Sequence, residues 1–136
     1  MRVSAKELYG LRAMTEMARH FDRGPISLAE VSRTQGISLD YLEQIAASLR
    51  KAGLLESRRG AQGGYLLTRS PGTITAGDVI RALDGSILPV QCITEQLERR
   101  CTPCPSTADC TSRNVWQTVG QRLVETLDGI TLADLQ

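Results

Sequence analysis

The chain has 136 residues, a length that suits one domain, or one small domain with an oligomerisation element. Its hydrophobic share of 41% supports a real core, and no apolar run is long enough to span a membrane, so we expect no membrane partner. Residues 1–70 hold eleven Lys or Arg against seven Asp or Glu (+4), whereas residues 71–136 hold five against eight (−3). This asymmetry predicts two regions with different tasks.

Helix caps divide the amino-terminal half. Three serines each precede apolar residues at helical spacing, and each helix pattern ends at a glycine. The predicted starts and stops are Ser4 and Gly24, Ser27 and Gly36, and Ser38 and Gly53. The first two starts are capping boxes, with Glu7 and Glu30 three residues later. The second and third helices, joined by a short turn, match either a helix-turn-helix or an ordinary helical hairpin.

Two strand-like segments follow the third helix directly. Residues 54–58 and 65–69 predict an antiparallel pair, joined by the glycine-rich tip 59–64. A hairpin in this place is the wing of a winged helix-turn-helix. Its glycines let backbone amides approach phosphates, while Arg58 and Arg59 can neutralise phosphate or enter a narrow minor groove. The alternative is a simple glycine turn with solvated arginines.

The carboxy-terminal half contains two more predicted helices. Thr75 caps a short one that Gly85 ends, and a long one with a wide apolar stripe runs over about residues 111 to 128. The stripe needs a partner surface, which we expect to be a second copy in a two-fold homodimer, with internal core packing as the alternative. The predicted fold class is mainly α with a small β-hairpin wing. We expect residues 1–70 to form a winged helix-turn-helix DNA-binding domain, and residues 71–136 to form a sensor loop and dimerisation helix.

All four cysteines fall within nineteen residues, with the spacing C-x8-C-x2-C-x5-C: Cys92, Cys101, Cys104 and Cys110. The amino terminus lacks a signal-peptide pattern, so we expect a reducing, cytoplasmic location in which clustered thiolates bind metal. Four thiolates suit a 2Fe–2S or 4Fe–4S cluster, and they also suit structural zinc. Uncoordinated redox-sensing thiols, or two disulfides in a secreted protein, are the alternatives.

Three short motifs carry a resemblance to a known family. The segments LDYLEQ (39–44), RGAQGGY (59–65) and ITL (130–132), together with Cys92 and Trp116, are typical of the Rrf-two family of bacterial transcription regulators. The similarity covers essentially the whole chain. It implies a dimeric winged-helix factor that binds a palindromic operator in double-stranded DNA, with the recognition helix in the major groove and the wing in the minor groove.

The resemblance, combined with the position of the arginines, predicts the residues that contact DNA. Glutamine can bind adenine through its amide, and glutamate can accept a hydrogen bond from cytosine N4. Tyr41 is equally suited to the core, and Arg50 with Lys51 suits either phosphate contacts or plain surface. The predicted DNA contacts are Ser38, Tyr41, Glu43, Gln44 and Arg50 on the helix, and Arg58, Arg59, Gln62 and Gly63 on the wing.

The cysteine spacing departs from that of the family's cluster-binding members. Those members use C-x5-C-x5-C, and in one of them a histidine follows three positions later. Here Cys92 and the Cys104-x5-Cys110 pair match, with six extra residues between them, and Arg113, which cannot ligate, stands in the place of the histidine. Cys101 is additional. The residues therefore favour an all-cysteine site for the iron–sulfur cluster.

Two further ligand candidates stay open. Some relatives add a carboxylate from the first helix of the other subunit; Glu7 lies one position from that place, which Leu8 occupies. The capping box gives Glu7 a competing role. His20, the single histidine, suits a surface position at the end of the first helix or a weaker ligand role.

The sequence thus predicts a sequence-specific transcriptional regulator, not an enzyme, that senses redox, iron or nitric oxide status through the cluster. A cluster-free thiol or cysteine-metabolism regulator of the same fold is the alternative. An electron carrier would leave the winged half without a role, and a thiol enzyme would have only His20 as a conventional base. The operator, the signal and the choice between repression and activation stay open.

Overall fold

The computed structural model describes residues 3–88 and 110–136, and these two ranges contain five α-helices and one antiparallel hairpin. This architecture confirms the predicted mainly-α fold class. Short 3-10 turns lie at Phe21–Arg23, Pro71–Thr73 and Ala133–Leu135. The regular elements are α1 (Ala5–Arg19), α2 (Leu28–Gln35), α3 (Leu39–Lys51), β1 (Leu55–Arg58), β2 (Gly64–Leu67), α4 (Ala76–Asp84) and α5 (Arg113–Asp128).

Side-chain caps start the first two helices, but differently from the prediction in one respect. At α1 the Ser4 hydroxyl accepts from Glu7 N (3.2 Å) and the Glu7 carboxylate accepts from Ser4 N (2.6 Å), so the capping box is complete. At α2 the Ser27 hydroxyl accepts from Glu30 N (3.2 Å), but the Glu30 carboxylate lies 3.8 Å from Nε2 of His20 instead. The second predicted box is therefore only half formed. Helix α1 also ends at Arg19, before its predicted stop.

The turn between α2 and α3 is short and held by side-chain hydrogen bonds. Gly36 ends α2 in the left-handed conformation (φ 66°), which glycine adopts without a steric penalty. The Ser32 hydroxyl donates to the carbonyl of buried Ile37 (2.6 Å), and the Ser38 hydroxyl caps α3 by accepting from Tyr41 N (3.3 Å). The two helices therefore form the predicted helix-turn-helix.

The hairpin is tied to the segment that precedes α2. Its strands pair from Leu55 with Leu67 to Arg58 with Gly64, slightly shorter than predicted. Ile26 extends the pairing, because its N–H donates to the Tyr65 carbonyl (3.0 Å) and its carbonyl accepts from Tyr65 N (2.8 Å). A Cβ at position 64 would overlap the Ile26 carbonyl, so this close approach requires glycine.

One hydrophobic core joins both predicted regions. Helix α4 packs on α1 and α3, and α1 approaches α4 so closely that a Cβ on Gly10 would overlap the Leu83 side chain. The largest fully buried side chains come from helices α1 to α4, the hairpin and the segments beside them. They are Met14, Ile26, Val31, Leu42, Ile45, Leu49, Leu55, Ile74, Val79 and Leu132.

Helix α5 is anchored at its carboxy-terminal end. Asp128 accepts two hydrogen bonds from the Arg81 guanidinium of α4, both at 2.8 Å. The segment after α5 then pairs with the start of α4, where Ala76 N donates to the Ile130 carbonyl (2.8 Å). Within α5 itself only Gly120 is buried. In the part of the chain that the structure describes, no helix combines the length and apolarity of a membrane span.

Candidate nucleic-acid interface and cysteine site

One face of α3 is exposed along its whole length. The exposed residues recur three and four positions apart, the spacing that places side chains on one helical face. We call five of them, Asp40, Glu43, Gln44, Ala47 and Arg50, the α3 stripe; Leu39 and Lys51 at the two ends of the helix are exposed as well. The opposite face is buried in the core, so the stripe is the surface that this helix offers to a partner.

The predicted DNA contacts on α3 divide into two groups. Glu43, Gln44 and Arg50 belong to the α3 stripe and are free to meet DNA bases or phosphates. The Ser38 hydroxyl is exposed but accepts a hydrogen bond from the first turn of the helix. Tyr41 is half-buried and meets the Tyr9 ring edge-on, with centroids 5.8 Å apart and planes at 88°. Its environment fits the alternative interpretation, that Tyr41 packs against the core.

Two members of the α3 stripe were not predicted from the sequence. Asp40 was passed over because a carboxylate in the first turn also stabilises a helix N-terminus, and Ala47 because it carries no polar group. Counting three or four residues from Glu43 along the helical period would have found both. Asp40 places a second hydrogen-bond acceptor beside Glu43, and acceptors of this kind match cytosine N4 and adenine N6 in the major groove.

The hairpin tip presents its predicted DNA-contacting side chains to solvent. Arg58, Arg59 and Gln62 are exposed, and the Arg58 guanidinium lies 3.9 Å from the Glu56 carboxylate on the same strand. Gly63 is half-buried, and a Cβ there would overlap the Arg58 carbonyl. The tight tip therefore depends on glycine, and it leaves the Arg59 and Gln62 side chains pointing away from the core.

The cysteine segment, from Cys92 to Cys110, is described only at its end. Cys92, Cys101 and Cys104 lie outside the described residues, whereas Cys110 is half-buried just before α5. Its Sγ lies 3.2 Å from the Ser112 hydroxyl. The Ser112 hydroxyl, and after it the backbone N–H of Arg113, lowers the pKa of Cys110. This favours the thiolate, which is the form that binds metal or attacks an oxidant.

The other candidate ligands already have partners. The Glu7 carboxylate accepts from Ser4 N (2.6 Å), and the two ring nitrogens of His20 lie 3.2 Å from the Glu16 carbonyl and 3.8 Å from the Glu30 carboxylate. Within residues 3–88 and 110–136, no group of three or more His, Cys, Asp or Glu side chains is placed to hold a metal ion. The described donor that fits a cluster is the Cys110 thiolate.

Together, these elements define the class of protein. A helix-turn-helix with an exposed recognition face, followed at once by a hairpin with an arginine at its tip, is a winged-helix DNA-binding domain. Residues 3–136 match the Rrf2 (Rrf-two) family model, which is described as an iron-dependent transcriptional regulator. The chain belongs to the Rrf2 family, as the resemblance predicted.

Relatives named as transcriptional regulators span nearly the whole chain. CymR of Bacillus subtilis (strain 168) is 40% identical over 135 residues, which are 99% of this chain and 89% of CymR. IscR of Aliivibrio salmonicida (strain LFI1238) is 39% identical over 135 residues, which are 99% of this chain and 77% of that protein. The protein is therefore a transcriptional regulator of a DNA-binding family, and not an enzyme.

Solved structures of both kinds of regulator share this fold. The structure of T. potens IscR has a TM-score of 0.80 at 43% identity and covers 99% of this chain and 85% of that one. The structure of CymR, the global cysteine regulator of B. subtilis, has a TM-score of 0.82 at 39% identity, with 99% and 95% covered. An oxidized form of Staphylococcus aureus CymR has a TM-score of 0.75 at 33% identity, again with 99% and 95% covered.

Proposed function

We propose that this protein binds a palindromic operator in double-stranded DNA as a cytoplasmic homodimer, and that its cysteine segment makes operator affinity depend on redox, iron or nitric oxide status. The observation that carries the DNA part is the α3 stripe. Its acceptor and amide groups match base edges in the major groove, while Arg59 and Gln62 on the wing suit the neighbouring minor groove. Ser38, Arg58 and Gly63 complete the proposed contact surface, chiefly toward phosphates.

The homodimer part is supported by the exposed face of α5. Val115 is 59% exposed and Trp116 is 37% exposed, although both are large apolar side chains. Half-buried Val119, Leu123 and Leu127 continue the same face at helical spacing. A two-fold axis along this face would cover the apolar face of α5 on both copies. It would also give two recognition helices related by the symmetry of a palindrome.

A selection from a random DNA library tests the DNA part. We expect the wild-type protein to enrich a palindromic duplex whose binding weakens as salt rises, because phosphate contacts release counterions. Glu43→Gln should change the selected bases, since it replaces an acceptor with an amide. Asp84→Asn is the matched control, because Asp84 is an exposed carboxylate at the end of α4, outside the proposed contact surface. A library that yields no enriched sequence would contradict the proposal.

An iron–sulfur cluster is the favoured input. Four closely spaced cysteines form a donor set of the right chemistry, the Cys110 environment favours thiolate, and the matching family is described as iron-dependent. We infer that Cys92, Cys101, Cys104 and Cys110 would hold the cluster, which when bound would supply a centre that reacts with oxidants or nitric oxide. Because the cysteine segment joins α4 to α5 in sequence, a change in it would alter how α5 meets its partner and hence the spacing of the recognition helices.

A cluster-free thiol regulator is the second candidate. CymR relatives support it, and one solved CymR structure is of an oxidized form. In this version Cys110, whose thiolate is favoured, would form a disulfide with another cysteine of the segment, two thiols giving up two electrons and two protons to an oxidant such as a peroxide. The change in the segment would then act on α5 as before.

Anaerobic purification separates the two candidates. A cluster would give visible absorbance with iron and acid-labile sulfide, and both should be lost in Cys110→Ala and Cys101→Ala but kept in Thr111→Ala, the control. Colourless protein whose operator affinity changes reversibly with oxidant and dithiol would favour the second candidate. If a triple variant lacking Cys92, Cys104 and Cys110 keeps both the wild-type affinity and its dependence on the signal, the sensing role is wrong.

A further inference from the structure

The start of the recognition helix is held by an aromatic contact with α1. Tyr41 stands in the first turn of α3, and its ring meets that of Tyr9 at right angles, with centroids 5.8 Å apart. Both tyrosines are half-buried and pack against the hydrophobic core. Edge-to-face pairs have a preferred geometry, so this contact restricts both the position and the rotation of the first turn of α3.

Arg12 links the same tyrosine to the end of α2. Its guanidinium carbon lies 5.8 Å from the Tyr9 ring centroid, which is cation–π distance. Nη2 donates to the backbone carbonyl of Gln35 at 2.6 Å, and Nε donates to the Gln35 side-chain oxygen at 3.4 Å. Gln35 is the last residue of α2, where carbonyls lack helical partners and carry partial negative charge. One guanidinium therefore contacts both α2 and the ring that packs on α3.

A buried carboxylate holds the other side of Gln35. Glu16 is only 7% exposed, and its carboxylate accepts from Gln35 Nε2 at 3.0 Å and from Arg19 at 3.2 Å. The Gln35 amide is thus gripped at its oxygen by Arg12 and at its nitrogen by Glu16. A buried carboxylate would be costly without such donors, so this arrangement resists rearrangement.

We propose that Tyr9 and Arg12 are positioning residues for DNA recognition. They complete a bracket (Tyr9, Arg12, Glu16, Gln35 and Tyr41) that sets the first turn of α3 relative to the end of α2. None of the five belongs to the α3 stripe. Base contacts need side chains held within a fraction of an ångström, and the bracket supplies that accuracy from α1. This inference rests on the proposed DNA-binding function and adds how its geometry is maintained.

The test compares specific with non-specific binding. The probes are the duplex that the wild-type protein selects from a random library and a scrambled duplex of equal length and composition. Affinities are measured below the unfolding temperature of every variant, so that only folded protein is compared. We expect Tyr9→Leu to lower the ratio of specific to scrambled affinity by about tenfold, the cost of roughly one mismatched base pair, with affinity for the scrambled duplex unchanged.

Arg12 is tested with variants that separate charge from geometry. Arg12→Lys keeps the positive charge but cannot reach both oxygens of Gln35 as the planar guanidinium does, so its ratio should fall together with that of Arg12→Gln. Arg23→Gln removes the same charge from an exposed 3-10 turn and should leave the ratio unchanged. Tyr9→Phe keeps the ring that meets Tyr41 and should restore the wild-type ratio.

Three results would overturn the inference. Equal losses on both duplexes would mean that Arg12 acts as a general phosphate contact. A lower melting temperature with an unchanged ratio would mean that the bracket serves stability alone. A Tyr9→Phe ratio as low as that of Tyr9→Leu would exclude the ring contact. If the wild-type protein selects no duplex, the proposed function itself fails, which is a different outcome from selection with variants that bind like wild type.

Discussion

The helix-turn-helix with its wing and the helix α5 differ in how completely their apolar side chains are buried. In the first region, side chains such as Leu42 and Leu49 are fully buried by α1, α4 and the hairpin. In α5 the buried residue is a glycine, and Val115 and Trp116 face solvent. Both helices α3 and α5 are amphipathic by sequence, yet among residues 3–88 and 110–136 only α3 finds apolar surfaces that cover its apolar face.

The contrast shows what an amphipathic pattern means for a helix. The pattern predicts that one face of the helix is buried, but it does not predict which surface buries that face. Helix α3 packs against α1, α2 and α4 and against the hairpin, all of which lie close to it in sequence. Within the part of the chain that the structure describes, helix α5 is joined to the rest chiefly at its end, through Asp128 and Arg81, so its remaining face is available to another surface.

The largest expected effect is the loss of stability when the core under the helix-turn-helix is disrupted. Leu42→Ala should lower the free energy of unfolding by about 2–5 kcal/mol, because it removes a fully buried side chain and leaves a cavity. The matched variant Leu123→Ala, on the half-buried face of α5, should cost clearly less in dilute protein. Urea denaturation of both variants provides the measurement. Equal losses in the free energy of unfolding would mean that Leu42 and Leu123 are equally well packed within the single chain.

The next largest effect concerns self-association through the exposed apolar face of α5. Val115→Glu should weaken self-association by about 2 kcal/mol, or roughly thirtyfold in the dimer dissociation constant, because a charge replaces an apolar anchor. Sedimentation velocity over a concentration series measures this change, and circular dichroism checks that helix content is kept. Gln117→Glu adds the same charge to an exposed position away from the apolar face and should have little effect. Unchanged association in Val115→Glu would rule out this face as the interface.

The smallest effect concerns the link between the two regions. The paired hydrogen bonds from Arg81 lower the pKa of Asp128, so this carboxylate contributes stability above its ordinary pKa and loses it as pH falls through the lowered one. Because Asp128 is more than a third exposed, Asp128→Asn should cost only about 0.5–1 kcal/mol at neutral pH.

Thermal unfolding at neutral and acidic pH checks both the size and the sign of that effect. The difference between wild type and Asp128→Asn should shrink as the solution becomes acidic, and also as salt is added. Asp84→Asn, which removes an exposed carboxylate from the same helix as Arg81, serves as the control. A difference that grows toward acid would contradict the assigned role of the ion pair.

Several parts of the fold follow from residues close together in the chain. The complete capping boxes at Ser4 and Thr75, and the left-handed glycine at Gly36, involve partners within a few residues, and all three match the prediction. The exception is Glu30, whose carboxylate turns from the Ser27 cap to His20 at the end of α1. That choice depends on how α1 lies against α2, which no local motif encodes.

In the candidate site, too, some features follow from local motifs and others depend on how the helices pack. The motifs around Glu43 and Arg59 were enough to predict the family, and the spacing of the four cysteines was enough to predict a thiolate site. Asp40 was missed although the helical period places it beside Glu43, because a carboxylate in the first turn also stabilises a helix N-terminus. Tyr41, for which the sequence left open a DNA contact or a place in the core, is half-buried beside Tyr9, and its DNA contact stays a prediction.

Local sequence was therefore sufficient for the starts of α1 to α4, the hairpin and the family, because caps, turns and motifs act over a few residues. Only packing decided how Tyr9 and Arg12 join α1 to α2 and α3, and how Arg81 pairs with Asp128. These contacts join residues far apart in the chain, 23 positions for Arg12 with Gln35 and 47 positions for Arg81 with Asp128. Their geometry arises only when burial of the apolar faces brings the helices together.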